Sequence, residues 1–124
     1  MKVLIADPIS KHGLTILSDS GLDLIIRAES SLDEKLSAAK DVDGIIIRSG
    51  TKVDNEMLQI AKCLKVIGRA GVGIDNIDLV AATRKGIVVM NTPDVNTISA
   101  AEHTIALILT LALSLIHISE PTRQ

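Results

Sequence analysis

An α/β fold is the architecture this sequence predicts: a flavodoxin-like parallel sheet of five strands with helices on both faces. Three observations predict it. Short β-branched apolar runs alternate with stretches that are apolar at helical spacing. Runs such as Ile45-Ile46-Ile47 are apolar at successive positions, which suits strands buried on both faces. Ser, Asp or Gly stands where most of the helices should begin or end. Such alternation builds right-handed βαβ units, here with the strand order 2-1-3-4-5.

The elements follow in order. Lys2 to Ala6 is a buried-strand pattern that stops at the turn signal Asp7-Pro8. Ser10 caps a helix that runs to Gly21, a residue suited to the position after a helix. Leu22 to Ile26 is the second strand. Ser31-Leu-Asp-Glu34 reads as a capping box, and Leu32, Leu36 and Ala39 continue at helical spacing. Gly44 to Ile47 is the third strand. Asp54 caps a third helix with Met57, Ile60 and Ala61 inward. Leu64 to Ile67 is the fourth strand. Asp78 caps a helix over Leu79 to Lys85, closed by Gly86, and Ile87 to Met90 is the fifth strand. Ser99-Ala-Ala-Glu102 is a second capping box, ahead of a helix apolar nearly all round from Thr104 to Ala112. The uncharged run from Thr104 to Ile116 falls short of the roughly 20 residues a bilayer span needs, so a buried helix is expected and no membrane contact.

Composition excludes several classes. The chain has 124 residues, enough for one domain with a modest core. It has no Phe, Tyr or Trp, hence no platform on which bases could stack, and its net charge is −2, so no nucleic-acid partner is expected. A single cysteine, Cys63, excludes an internal disulfide and suits the cytoplasm. Its apolar neighbours Ala61 and Leu64 predict a buried thiol. No signal peptide is visible. His12 and His103 fall in helices and do not cluster, and no metal-ligand or Ser/His/Asp spacing occurs.

The chemistry concentrates between Lys65 and Asp75, Lys-Val-Ile-Gly-Arg-Ala-Gly-Val-Gly-Ile-Asp. An apolar strand gives way to a glycine-rich turn at a cation. Backbone N–H groups in such a turn can form an anion nest, and Arg69 adds a planar fork for a carboxylate or phosphate. At least one of Gly71 and Gly73 is expected to have φ > 0 or to face a ligand with no room for a Cβ. Gly71-Val72-Gly73 opens like the dinucleotide fingerprint G-x-G-x-x-G, but Asn76 fills the third glycine position. Arg48 ends the third strand as Arg69 ends the fourth, and these strands should be neighbours. Each arginine is followed by a glycine turn and a helix start, a second source of partial positive charge. With the hydroxyls of Ser49 and Thr51, they describe a pocket for a small acid, with two cations for up to two anionic groups. The plainer reading makes each arginine a solvated edge residue paired with Asp7, Asp75 or Asp78; two arginines on adjacent strands favour the site. Asp75, Asn76 and Asp78 are explained as turn and cap residues. Asn96 precedes a helix, where it can cap or bind substrate.

These stretches resemble the D-isomer-specific 2-hydroxyacid dehydrogenases. The resemblance rests on Ile47 to Val53, Val66 to Asp78, Ala81 to Pro93 and Asn96 to His103, and extends from Lys2 to about Ala112. Its central block favours the branch that oxidises the 2-hydroxyl of 3-phosphoglycerate, a step in serine biosynthesis. The resemblance implies that residues 1–95 are the substrate-binding domain and 96–112 the start of the helix leading to an NAD domain. It implies that Arg48 and Arg69 face the substrate's anionic groups; Ser49 is counted with them as a substrate-binding residue on its hydroxyl alone. It puts the Gly71 and Val72 backbone against substrate and nicotinamide, and Asn96 at the substrate carboxylate. The cofactor implied is NAD, and the full-length protein is expected to be a homo-oligomer. The family's fingerprint and catalytic Arg, Glu and His have no counterpart in this sequence, and His103 does not match the catalytic His. No catalytic residue is therefore assigned.

Residues 113–124 depart from the family pattern. Leu113 to Arg123 reads as a translated transposase adapter, a non-native tail that takes His117 with it. The competing reading is a free-standing flavodoxin-like sensor of small acids, or a dehydrogenase for another D-2-hydroxy acid. Arg48 stands where a phospho-receiver would need an aspartate, which removes that version. Genomic DNA beyond Ala112 separates enzyme from sensor by continuing, or not, into a second βαβ unit with G-x-G-x-x-G.

Overall fold

The structure, a computed structural model, describes residues 1–92. Five parallel strands form one sheet in the order β2-β1-β3-β4-β5, as expected. They are β1 (Lys2–Ile5), β2 (Asp23–Ile26), β3 (Gly44–Ile47), β4 (Val66–Arg69) and β5 (Val88–Asn91). The helices between them are α1 (Lys11–Asp19), α2 (Leu32–Ala38), α3 (Asn55–Ile60) and α4 (Leu79–Arg84), with a short 3-10 turn at Ala39–Asp41.

Local chemistry starts and stops these helices. Side chains of Ser10, Ser31, Asp54 and Asp78 accept from the amides of Gly13, Glu34, Met57 and Ala81. Glu34 completes its box in a variant form, its carboxylate taking the Ser31 hydroxyl. Gly21 and Gly86 follow α1 and α4 with φ of +84° and +73°.

The chain winds one way from β1 to β2 and the other way from β2 through β5. Right-handed crossovers then send α1 to one face and α2, α3 and α4 to the other. The core divides accordingly. Val3, Ile5, Ile46 and Val66 pack with Leu14 and Leu17 of α1. Leu4, Ile45, Ile47 and Ile67 pack with Met57, Leu58, Ala81 and Ala82. All four residues of β3 and of β4 are buried.

Three local expectations are corrected. β4 begins at Val66 rather than Leu64, because its pairing starts with Gly44 opposite Val66. Cys63 is exposed; it lies between α3 and β4, where apolar neighbours in sequence do not imply a buried side chain. Leu32 shares the helical spacing of α2 but is 59% exposed, since the helix turns its first residue to solvent. Among the described residues no helix is long and apolar enough to cross a membrane, and no cluster of His, Cys, Asp or Glu could hold a metal. Asn96, the helix expected from 96 to 112 and the tail from 113 lie outside the described residues.

Candidate functional site

Parallel strands deliver their carboxyl ends to one edge of the sheet, and ligands of open α/β sheets bind outside that edge. Arg48 and Arg69 both stand there. Ile47, Arg69 and Asn91 form the last register row of β3, β4 and β5. Arg48 is one residue past that row.

Arg69 has the more constrained environment. Only 9% of it is exposed, and its Nε is buried with no hydrogen-bond partner. Among the described residues no carboxylate forms an ion pair with it. Its guanidinium lies over Gly71 and Gly73: a Cβ built on Gly71 would meet Nη1 at 2.9 Å, and one on Gly73 at 3.4 Å. The turn itself is tied to β5. Asn91 Nδ2 donates to the Val72 carbonyl at 2.8 Å, and the Thr92 amide donates to that of Gly71 at 3.1 Å. The Val72 and Gly73 amides have no acceptor among the described residues. A buried cation beside two open N–H groups is an arrangement complementary to an anion. Val72 is 54% exposed, leaving an apolar side chain at the rim.

The backbone half of the expectation at the glycines is corrected. Neither Gly71 nor Gly73 has a positive φ. A Cβ on Gly71 would crowd Arg69 Nη1 at 2.9 Å, and one on Gly73 would come nearest to Asp75 Oδ1 at 3.1 Å.

The loop after β3 is held by groups distant in sequence. Asp7, buried at the end of β1, accepts the Arg48 amide at 2.7 Å and the Thr51 amide at 2.9 Å through Oδ2. Its Oδ1 takes the Thr51 hydroxyl at 2.6 Å and faces Lys35 Nζ at 3.7 Å. Lys35 in turn donates to Thr51 Oγ1 at 3.2 Å. From the other side, Asn76 Nδ2 donates to the carbonyls of Arg48 and Thr51, both at 2.7 Å. Asp7 thus reads the N–H groups of two residues and Asn76 their C=O groups. The two loops are also bridged where Val53 pairs with Ile77. Arg48 and Ser49 themselves are exposed, and Arg48 Nη1 reaches the Pro8 carbonyl at 3.5 Å.

The two arginines therefore share the edge but not their partners: Arg48 leans toward β1, Arg69 lies over the β4 turn. Neither pairs with Asp75 or Asp78, and Asp7 meets the backbone of Arg48, not its side chain. The expected help from helix starts is absent. α3 and α4 each begin on an aspartate cap, so their N-termini already hold a carboxylate. A shallow depression lined by Lys52, Asp54, Asp75, Asn76 and Asp78 lies beside them and is acidic, unsuited to an anion. Reading the sequence missed Asp7, Lys35, Asn76 and Asn91 as site supports. The one available signal was Asp7, a carboxylate two residues past the first strand.

Comparison with known proteins agrees with this architecture. Residues 3–119 match the profile of the D-isomer specific 2-hydroxyacid dehydrogenase catalytic domain. The chain is 51% identical over 112 residues to a D-3-phosphoglycerate dehydrogenase of Archaeoglobus fulgidus, covering 90% of this chain and 21% of the relative. It is 50% identical over 111 residues to that of Sus scrofa, with the same coverage of 90% and 21%. The chain thus spans about a fifth (21%) of the length of these curated relatives. Among solved structures, the NAD+-bound 3-phosphoglycerate dehydrogenase of Entamoeba histolytica superposes with a TM-score of 0.66 at 34% identity, covering 74% of this chain and 32% of that one. An NAD-bound formate dehydrogenase of Staphylococcus aureus gives 0.66 at 27% identity, covering 100% and 43%.

Proposed function

Because the chain belongs to the D-isomer specific 2-hydroxyacid dehydrogenase family, we propose that it is the substrate-binding part of an NAD-dependent D-3-phosphoglycerate dehydrogenase. The observation that carries this reading is the buried Arg69, with an unpartnered Nε and open amides beside it. A buried cation without a carboxylate calls for an anion from outside the described residues. A phosphorylated 2-hydroxy acid carries two such groups.

In this reading Arg69 binds one anionic group of the substrate. Arg48, exposed on the neighbouring loop, binds the other, with the Ser49 hydroxyl and the Gly71 and Val72 backbone completing the contact. Asn96 holds the substrate carboxylate. NAD, when bound, supplies a two-electron acceptor for the substrate's 2-carbon. Val72 would lie against the nicotinamide through its backbone, and its exposed side chain stands at the rim of the turn. No complete G-x-G-x-x-G occurs in the 124 residues, so Val72 is the one residue assigned to the cofactor. The proposed domain division has residues 1–95 bind substrate, 96–112 begin the connecting helix, and 113–124 form a foreign tail, although the family match runs on to residue 119.

The test uses the full-length dehydrogenase. Arg69→Ala should raise KM for 3-phosphoglycerate about ten- to a hundredfold, the equivalent of roughly 1.5–3 kcal/mol for a charge-assisted bond. Arg48→Ala should act in the same direction, less steeply because the side chain is exposed. Unchanged kinetics in both variants would reject the site.

A further inference from the structure

We propose that Gly71 is a positioning residue: its missing side chain is what seats the Arg69 guanidinium at the mouth of the site. This deepens the substrate reading and rests on it for the kinetic arm of the test alone.

The conformation at Gly71 is open to any residue, since its φ is not in the left-handed region. An alanine there would not strain the backbone. It would meet one thing, Arg69, at 2.9 Å from Nη1 and 3.5 Å from Cζ. One partner has to give. The turn is held at several points: the Gly71 carbonyl by Thr92, the Val72 carbonyl by Asn91, the Gly71 amide by the Arg69 carbonyl and the Ala70 amide by Ile47. The guanidinium is the far end of a flexible side chain, and no hydrogen bond or ion pair of the described residues holds its tip. The arginine therefore yields, and the methyl takes its seat. Gly73 is a control. A Cβ there would lie 3.4 Å from Nη1 and 3.1 Å from Asp75 Oδ1, so it crowds the exposed Asp75 more than Arg69.

Two readouts on the full-length protein decide this. Phenylglyoxal labels accessible arginines, and peptide mass spectrometry reports Arg69 and Arg48 separately. In the wild type Arg69 should label slowly beside the exposed Arg48. Gly71→Ala should raise Arg69 labelling several-fold, and Gly73→Ala should raise it less. Kinetically, Gly71→Ala should raise KM for 3-phosphoglycerate about tenfold, and should add under twofold in an Arg69→Ala background. Unchanged Arg69 labelling in folded Gly71→Ala overturns the proposal. So does an equal KM effect with and without Arg69. Should Gly71→Ala fail to fold, recovery in the Arg69→Ala/Gly71→Ala double variant supports it and continued failure overturns it. If Arg69→Ala leaves KM unchanged, the substrate reading fails, while labelling still decides what Gly71 does.

Discussion

Asp7 lies two residues past the first strand and carries more of the site's hydrogen bonding than either arginine. Two backbone amides, one hydroxyl and one ammonium converge on its buried carboxylate. The Thr51 hydroxyl has one proton, and at 2.6 Å from Oδ1 it gives it to Asp7, leaving its lone pairs for Lys35. Removing the carboxylate strands the buried Thr51 amide and leaves the Lys35 ammonium without its counter-charge, while the Thr51 hydroxyl keeps the Ala6 carbonyl at 3.2 Å. Asp7→Ala should cost about 3–5 kcal/mol, the range for breaking a buried charged pair on one side. Asp7→Asn keeps the volume and one acceptor, and should cost less. Urea unfolding with an unchanged m value measures both. A cost below 1 kcal/mol for Asp7→Ala would mean that the loop finds other acceptors.

At the scale of elements, the boundaries that the sequence made legible are those set by neighbours in the chain. The caps at Ser10, Ser31, Asp54 and Asp78 each reach an amide three residues on, so the residue and its partner are read together. The start of β4 was misplaced because strand ends are fixed by pairing, and Gly44 lies far from Val66 in sequence. The site divides in the same way. That Arg48 and Arg69 end adjacent strands could be read from alternation alone. What holds the Arg48–Thr51 loop could not, because Asp7 lies 41 and 44 residues from the amides it accepts, and Asn76 lies 28 and 25 from its carbonyls. Gly86 gives a clean test of element-level chemistry. Its φ is +73° and a Cβ there would touch nothing within 4 Å. Gly86→Ala should therefore cost about 1–2 kcal/mol from backbone conformation alone, seen as a lower thermal midpoint. Gly44→Ala, with ordinary φ but Val66 Cγ1 at 3.2 Å, would act through packing instead.

For the whole molecule, the winding reverses between β1 and β3, the usual ligand position of such sheets. Here the protein's own carboxylate, Asp7, spans from the end of β1 to the loop after β3. We propose that the 124-residue polypeptide, with no nucleotide fingerprint and no group assigned to take the hydroxyl proton, transfers no hydride alone. Purified polypeptide with NAD and 3-phosphoglycerate should give no NADH absorbance above a blank, and turnover surviving removal of contaminating dehydrogenases would sink that view. The clamp of Asp7 and Asn76 on the Arg48–Thr51 loop has a thermal consequence as well. Both peptide faces of the loop are fastened before any ligand arrives, so its disorder is lost during folding and not during binding. Association at this edge should then carry little unfavourable entropy from loop ordering. Calorimetry on Asn76→Ala, which frees two of the four fastenings, should find that penalty restored.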